Sequence, residues 1–391
     1  MAVWRNQPLV IVAVFDRAVG SGSSTFPCQL SELGGDASSS PVSLVIRLDK
    51  TWRVPAHSHA KPTMLPHIAR AVSLAFFSIT MAVAAPTGKL NRPASVDLKF
   101  DFALIGDTPY DEAQATNYFP NLIEDLNRAR LEFVVHDGDI KAGATPCTDE
   151  SFERVFTQFQ SFKHPLVYLF GDNEWSDCGK VKTNAFEPME RLEKLRSMFA
   201  AGDKSLGQRT MTLVRQSTEP RFAAFRENVR WAHGGVLFAG LNVPGDDNHF
   251  GAPEFKSRNE ANIAWMKDAF AIAARDNFRA VMIIMQANPN FDLAATNRLR
   301  KGFNEMLRVL EDETVAFGKP VVLVHGDSHY FRIDQPMIGS KSRRRVENFT
   351  RVETFGNPDV HWVRVSVDWR DPNVFSFRPQ YVRKNLINHR R

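Results

Sequence analysis

The sequence predicts a layered α/β domain, and three observations carry that expectation. Apolar runs of strand type alternate with segments of helical periodicity from Phe102 onward. Most of those runs stop at a glycine or a carboxylate, as in Leu166-Val167-Tyr168-Leu169-Phe170-Gly171-Asp172-Asn173-Glu174. The composition, 43% hydrophobic and 24% charged over 391 residues, is that of a globular chain long enough for one large domain or two smaller ones.

Residues 1–63 are rich in Ser, Gly and Pro, and their short apolar pieces, Leu9 to Phe15 and Val42 to Leu48, have no clear partner. They are expected to be disordered or absent from the native product. From Met64 the pattern changes: His67 and Arg70 precede the apolar run Ala71 to Val83, and Ala82-Val83-Ala84 is a small-x-small site followed by Ala85 and Pro86. This resembles a secretory signal peptide over 64–84, with translation starting at Met64 and an exported chain, periplasmic or secreted. The run is too short to span a bilayer comfortably, so no transmembrane segment is expected in the mature chain. The alternative is a buried helix of an intracellular protein behind a disordered tail. Of Cys28, Cys147 and Cys178, the last two would survive cleavage, each shortly after a polar loop. They could pair in an oxidising compartment or remain separate thiols; without CxxC-type spacing, zinc is not expected on them.

After a Pro-containing linker, Pro86 to Pro93, the first strand is expected over Val96 to Ile105. Asp111 to Arg130 carries Leu122, Ile123, Leu126 and Ala129 at helical spacing, with an irregular start at Pro120. A second strand runs through Phe133-Val134-Val135. A helix over Asp149 to Phe162 follows, with Phe152, Phe156, Phe159 and Phe162 on one stripe and Thr148 as its cap, and it feeds the strand from Pro165. Ser176 to Arg230 is less regular, with one helix over Glu187 to Phe199. Val236 to Val243 is a strand ending in the polar loop Asp246-Asp247-Asn248-His249. The amphipathic helix Asn259 to Arg275 precedes a strand from Val281 to Met285, and a helix over Asn297 to Phe317 stops at Gly318 with Pro320 beyond. Val321 to Val324 is another strand, and Val360 to Val367 alternates as a half-buried one. With no internal repeat, one domain over 96–381 is the expected division.

The formal charge of +5 is small for this length and is not gathered into long basic runs, so no stable nucleic-acid partner is expected. Arg343-Arg344-Arg345 reads as a solvated charge run. Serine hydrolase, P-loop and zincin motifs are all missing. What stands out is the set of strand ends: Gly106-Asp107, Gly138-Asp139, Gly171-Asp172-Asn173-Glu174, Gln286, and Gly326-Asp327-Ser328-His329. Open α/β sheets bind ligands just beyond the C-terminal ends of their strands. Carboxylates gathered there without a cation would repel one another in a desolvated place, so a metal centre is the expected occupant.

This ordered set resembles the motifs of the calcineurin-like metallophosphoesterase superfamily, which includes the purple acid phosphatases, over Phe102 to His329. The resemblance implies a two-sheet β-sandwich flanked by helices, in four αββα layers, and two divalent metal ions at the strand ends. It implies that Asp107 holds one metal, that Asp139 bridges both and that His329 is a ligand of the first. The departures are Pro109 where a His is usual, Asp172 for a metal-binding Asn, Asn173 for the His that protonates the leaving group, and Gln286 and Asp327 for two His ligands. The implied metal set is therefore Asp107, Asp139, Asp172, Gln286, Asp327 and His329, rich in oxygen. Among Mn²⁺, Mg²⁺, Fe and Zn²⁺, such donors favour Mn²⁺ or Mg²⁺. Tyr110 is a candidate phenolate ligand, although it lies in a different motif from the family's tyrosine.

The function that follows is metal-dependent hydrolysis of phosphoric mono- or diesters of small molecules by a metal-activated water. The alternative is a weak or inactive relative that keeps the fold and acts as a binding or surface protein. Asn173 and His325 are the candidate catalytic side chains. Asn173 can hydrogen-bond a phosphoryl oxygen but cannot protonate an alkoxide, so His325, His136 or His249 would have to supply that proton. His136 and His325 are equally readable as packing residues and His249 as part of a solvated loop.

Overall fold

The computed structural model describes residues 99–180 and 185–386. The expectations for residues 1–63 and for the leader over 64–84 lie outside the described residues. Two sheets are present. The first has the order β12-β11-β1-β2-β3, built from β1 (Lys99–Ile105), β2 (Val134–His136), β3 (Leu166–Tyr168), β11 (Trp362–Asp368) and β12 (Phe375–Gln380). The second has the order β4-β5-β6-β7-β8-β10-β9, from β4 (Val214–Arg215), β5 (Val229–His233), β6 (Val236–Gly240), β7 (Ala280–Ile284), β8 (Val321–His325), β9 (Arg332–Asp334) and β10 (Phe349–Glu353).

Side-chain alternation explains why these strands stack in layers. On β1, Phe102 and Leu104 join the core shared by the two sheets, while Ala103 and Ile105 join the core beneath the helices Phe119–Arg128, Asp149–Phe159 and Pro188–Phe199. On β7, Met282 and Ile284 face the inter-sheet core, while Val281 and Ile283 face the helices Phe255–Arg275 and Asn304–Phe317. Strands apolar on both faces can be satisfied only between two covered layers. The outcome is helices, sheet, sheet, helices, the four-layer architecture that the motif resemblance implied. Between the sheets, Phe133 stacks on Phe102 at 4.7 Å and meets Phe238 edge-on at 5.4 Å.

The parallel strands end level with one another. Ile105 pairs with His136 and His136 with Tyr168 in the first sheet; Gly240 pairs with Ile284 and Ile284 with Val324 in the second. Their following loops therefore leave from common rims. Helix signals were legible where capping chemistry was present: the Thr148 hydroxyl accepts from Ser151 N, and Gly318 closes its helix in the left-handed region at φ 65°. The helix expected from Asn297 begins only at Asn304, because Asn297 to Phe303 is taken up by turns and a short 3₁₀ segment. The helix expected from Asn259 begins earlier, at Phe255. Trp362, on the expected polar face of its strand, is 1% exposed and donates Nε1 to Asp125 Oδ2 at 2.8 Å, so that face is covered by a helix.

Cys147 and Cys178 form a disulfide, with Cα atoms 5.8 Å apart and a sequence separation of 31. Cys147 Sγ lies 3.6 Å from the carbonyl of Asn173, so the bond closes the segment that carries Asp172 and Asn173. Replacing both cysteines by serine is expected to cost about 3 to 4 kcal/mol of unfolding free energy in the chain-entropy model. Denaturant titration measures this, and an unchanged midpoint would refute a structural role for the bond.

Candidate metal centre

Asp107, Asp139, Asp327 and His329 all adopt left-handed backbone angles, with φ of 48°, 60°, 76° and 57°. Non-glycine residues seldom do so, at a cost of roughly 1 to 2 kcal/mol each. The common conformation turns each chain sharply after its strand. Asp107 N donates to Gly138 O at 2.9 Å, and Asp327 N lies 3.1 Å from Asp107 Oδ2, which ties the ends of β1, β2 and β8 together. His136, fully buried, holds the second of these turns: Nε2 lies 2.8 Å from Thr108 O and Nδ1 accepts from Gly138 N at 3.2 Å. Burial pushes its pKa down to about 4, so both ring nitrogens serve the backbone and the ring stays neutral.

Glu174 orders the third loop. Its Oε1 accepts from Tyr168 Oη at 2.7 Å, from Gly171 N at 2.5 Å and from Asp139 N at 3.2 Å. Asn173 then reaches Asp139 twice, N to Oδ1 at 3.1 Å and Nδ2 to Oδ2 at 2.6 Å. Tyr110 sits among the same groups: Oη donates to Asp139 Oδ2 at 2.7 Å, accepts from Asn173 Nδ2 at 3.0 Å, and has His329 Nε2 at 3.0 Å and Asp107 Oδ1 at 3.3 Å. Burial, then the charges of Asp139 and Asp107, push the Tyr110 phenol well above its ordinary pKa.

Asp172 and Asp327 meet at one glycine. Both approach Gly245, where a Cβ would lie 2.5 Å from Asp172 Oδ1 and 2.7 Å from Asp327 Oδ1; only glycine leaves that space. Gly138, at φ 129°, likewise makes room for the Gln286 side chain. Gln286 Oε1 accepts from Gly245 N at 2.6 Å, while its amide faces Asp327 without a well-formed hydrogen bond, leaving Nε2 unpartnered. Asp172 Oδ1 is also buried and unpartnered. Burial raises the pKa of Asp107, Asp139 and Asp172 well above the usual carboxylate range, and neighbouring carboxylates raise each further. Burial likewise pushes Asp327 up to about 6.

Three further acids and two lysines belong to this region. Asp172, Asp177 and Asp246 offer oxygens within 4.8 Å of one another, an arrangement that could hold a cation. Lys180 Nζ already bridges the outer two, 2.6 Å from Asp177 and 2.8 Å from Asp246. Asp137 is buried, accepts from Thr354 Oγ1 at 2.9 Å, and keeps Oδ1 unpartnered. Lys141 is 4% exposed; burial lowers its pKa against the opposing pull of Glu174, Asp139, Asp177 and Asp172. Asp246 stood in a loop the sequence marked as polar, whereas nothing in the sequence singles out Lys141 or Asp177.

The structure thus gathers Asp107, Asp139, Asp172, Asn173, Gln286, Asp327 and His329 at one rim. It does not bring His325 there. That ring is fully buried, Nδ1 lies 2.9 Å from Gly326 O, and its charged neighbours are Arg351, Arg332 and Asp334. Burial drives its pKa down to about 3. His249 is partly exposed, with Nδ1 3.0 Å from Glu254 Oε1 and its ring edge-on to Trp175.

Fold and rim together define a two-sheet α/β sandwich with a carboxylate-lined strand edge. No family model matches the chain, and no curated protein does. Among solved structures, it aligns with GAP50, the anchor in the inner membrane complex of Plasmodium, at a TM-score of 0.45 and 10% identity over 74% of this chain and 87% of that one. It aligns with PhoD at 0.43 and 11% identity, over 69% and 64% of the two chains. The 5'-nucleotidase from Candida albicans SC5314 aligns at 0.36 and 10% identity, over 71% of this chain and 50% of the enzyme.

Proposed function

We propose that this chain is an exported phosphoester hydrolase of the metallophosphoesterase kind that depends on a divalent cation. The observation carrying this reading is the convergence of Asp107, Asp139, Asp172, Asp327 and His329 from separate strand ends, with the Asp172 Oδ1 atom buried and unpartnered. The donor chemistry on the Asp172–Asp327 side fits a hard cation, since two carboxylate oxygens converge at Gly245 and desolvated like charges need a counter-ion. When bound, a divalent cation there supplies charge for a phosphoryl group and a water of lowered pKa.

The chain's own groups set the rest. Asp172 and Asp327 would hold the cation, and Asp139 beside them is fixed by Asn173 and Tyr110. Lys141 and Lys180 add positive charge at the acidic edge, which favours an anionic ester. Proton delivery to the leaving group is the weak step. Asn173 has no acidic proton, His136 has both nitrogens engaged, and His325 is enclosed in the core.

The test uses the mature chain, stripped with chelator and resupplied with Mn²⁺ or Mg²⁺, on p-nitrophenyl phosphate, its diester and alkyl phosphates. Turnover restored by the cation is expected, with aryl esters ahead of alkyl esters by about 10²- to 10⁴-fold, the usual contribution of a general acid. Equal rates on both ester types would show that an acid is present after all. Cation binding without turnover on any ester would support the second reading, a non-catalytic binding or surface protein, which the saturation of Asp139 by Asn173 and Tyr110 favours. The disulfide accords with export to a periplasmic or extracellular space.

A further inference from the structure

The two halves of the centre differ in a way the motif order did not announce. An ion held by Asp107, Asp139 and His329 needs one donor atom from each within roughly 2.0 to 2.2 Å of a common point. The Tyr110 hydroxyl stands among those donors, 2.7 Å from Asp139 Oδ2, 3.0 Å from His329 Nε2 and 3.3 Å from Asp107 Oδ1. Its ring packs edge-on against His329 with centroids 4.9 Å apart, and its backbone N–H donates to Gln114 Oε1 at 2.9 Å, so the residue is tied at both ends. Asn173 Nδ2 completes the hub at 3.0 Å. The spacing is that of hydrogen bonds: the single phenol proton goes to Asp139 Oδ2, the phenol oxygen faces His329 Nε2 and Asn173 Nδ2, and Asp107 Oδ1 lies alongside at 3.3 Å.

The other half has the opposite character. Asp172 Oδ1 is buried without any hydrogen-bond partner, and it converges with Asp327 Oδ1 on Gly245, where a Cβ would lie 2.5 Å from the first and 2.7 Å from the second. A buried carboxylate oxygen without a donor is costly unless a cation meets it.

We infer that the centre binds one divalent cation per chain, between Asp172 and Asp327, and that the Tyr110 hydroxyl closes the Asp107–Asp139–His329 half as a hydrogen-bond hub. This rests on the cation dependence proposed above, and it narrows that reading from two ions to one. Tyr110 thereby acts as a positioning residue that fixes Asp139 and Asn173.

The experiment counts ions. Chelated full chain is reloaded with Mn²⁺, desalted, and analysed for manganese per chain by elemental analysis, with electron paramagnetic resonance to report coupled pairs. The wild type is expected to hold one uncoupled Mn²⁺. Asp107→Asn is expected to keep it, and Asp172→Leu and Asp327→Asn to lose it. Tyr110→Ala, which removes both hydroxyl and ring, is expected to raise the count towards two and to show coupling. Circular dichroism melts establish that each variant folds, and the wild-type count stands whether or not they do. Two coupled ions in the wild type would overturn the inference, as would loss of the ion in Asp107→Asn or in Tyr110→Phe. An Fe³⁺-loaded wild type with a visible tyrosinate band that Tyr110→Phe abolishes would overturn it too, by making the phenol a ligand. One ion without turnover would leave the inference standing and defeat the hydrolase reading; two ions with turnover would do the reverse.

Discussion

Asp172→Leu is expected to reduce cation-dependent phosphoester turnover by roughly 10³-fold, since a metal ion contributes several kcal/mol of transition-state stabilisation and each 1.36 kcal/mol is tenfold in rate. The same substitution is expected to raise the melting temperature of the cation-free protein. The two effects have one origin. Asp172 is buried beside Asp327, Asp177, Asp246 and Glu174, all of which raise the cost of its charge, and its Oδ1 atom receives no hydrogen bond. Leucine keeps the branching at Cγ and removes the repulsion, so the empty protein gains, while no side-chain oxygen remains for a cation to bind. A structural carboxylate behaves differently: Glu227, whose two oxygens are each 2.8 Å from the Arg196 guanidinium, would if neutralised leave that buried cation with only the exposed Glu193 at 3.6 Å. Melting curves in chelator and in Mn²⁺ separate the cases. An Asp172→Leu protein that melts below the wild type in chelator, or still responds to Mn²⁺, would contradict the assignment.

Most of the fold was legible because the parallel strands are buried on both faces and announce themselves as apolar runs. Val236-Leu237-Phe238 and Val321-Val322-Leu323-Val324 need no partner to be recognised. Strands that carry charge inward were not. β10 contains Arg351 and Glu353, each 0% exposed, and they are tolerated because Arg351 pairs with Asp334 and Glu353 with Arg332. A polar run reads as a loop until those partners are known. β5 was hidden by its mixed composition, although its turn carries a signal: Gly234 and Gly235 both have positive φ, the two-residue hairpin chemistry that joins it to β6. β12 contains Pro379, which fits its place at the edge of a sheet.

The site divides along similar lines. Residues immediately after apolar strands were identifiable by position, because level strand ends deliver them to one rim. Residues that act across the rim were not. Tyr110 could be flagged as three positions from Asp107, but its four polar neighbours come from segments up to 219 residues away. Lys141 lies within a loop and Asp177 in the short 3₁₀ turn Ser176–Gly179, and only folding shows that they share space with Asp139 and Asp172.

Stabilisation by saturating Mn²⁺ is expected to grow as pH rises from about 4.5 to 7.5, approaching about 4 kcal/mol when the free ion is a thousandfold above its dissociation constant. Two groups of buried residues make stability depend on pH in opposite senses, and cation binding tells them apart. The carboxyls have folded pKa values raised above their unfolded ones, with Asp327 near 6 and Asp107, Asp139 and Asp172 also raised. Their contribution is fully present below the unfolded value near 3.8 and is lost as pH climbs through the folded values. His136 and His325 have folded values lowered to about 4 and about 3 from 6.5, so they destabilise in the other direction, as pH falls below 6.5 and the unfolded chain takes up protons. Between pH 4 and 6.5 the two trends oppose each other in the cation-free protein and flatten its profile. A bound cation relieves the carboxylates and leaves the histidines untouched, so the difference between Mn²⁺ and chelator melts isolates the acidic cluster. A difference that stays constant across this range would mean that protons and cation do not compete for the same oxygens, and Asp172 and Asp327 would then be excluded as its ligands.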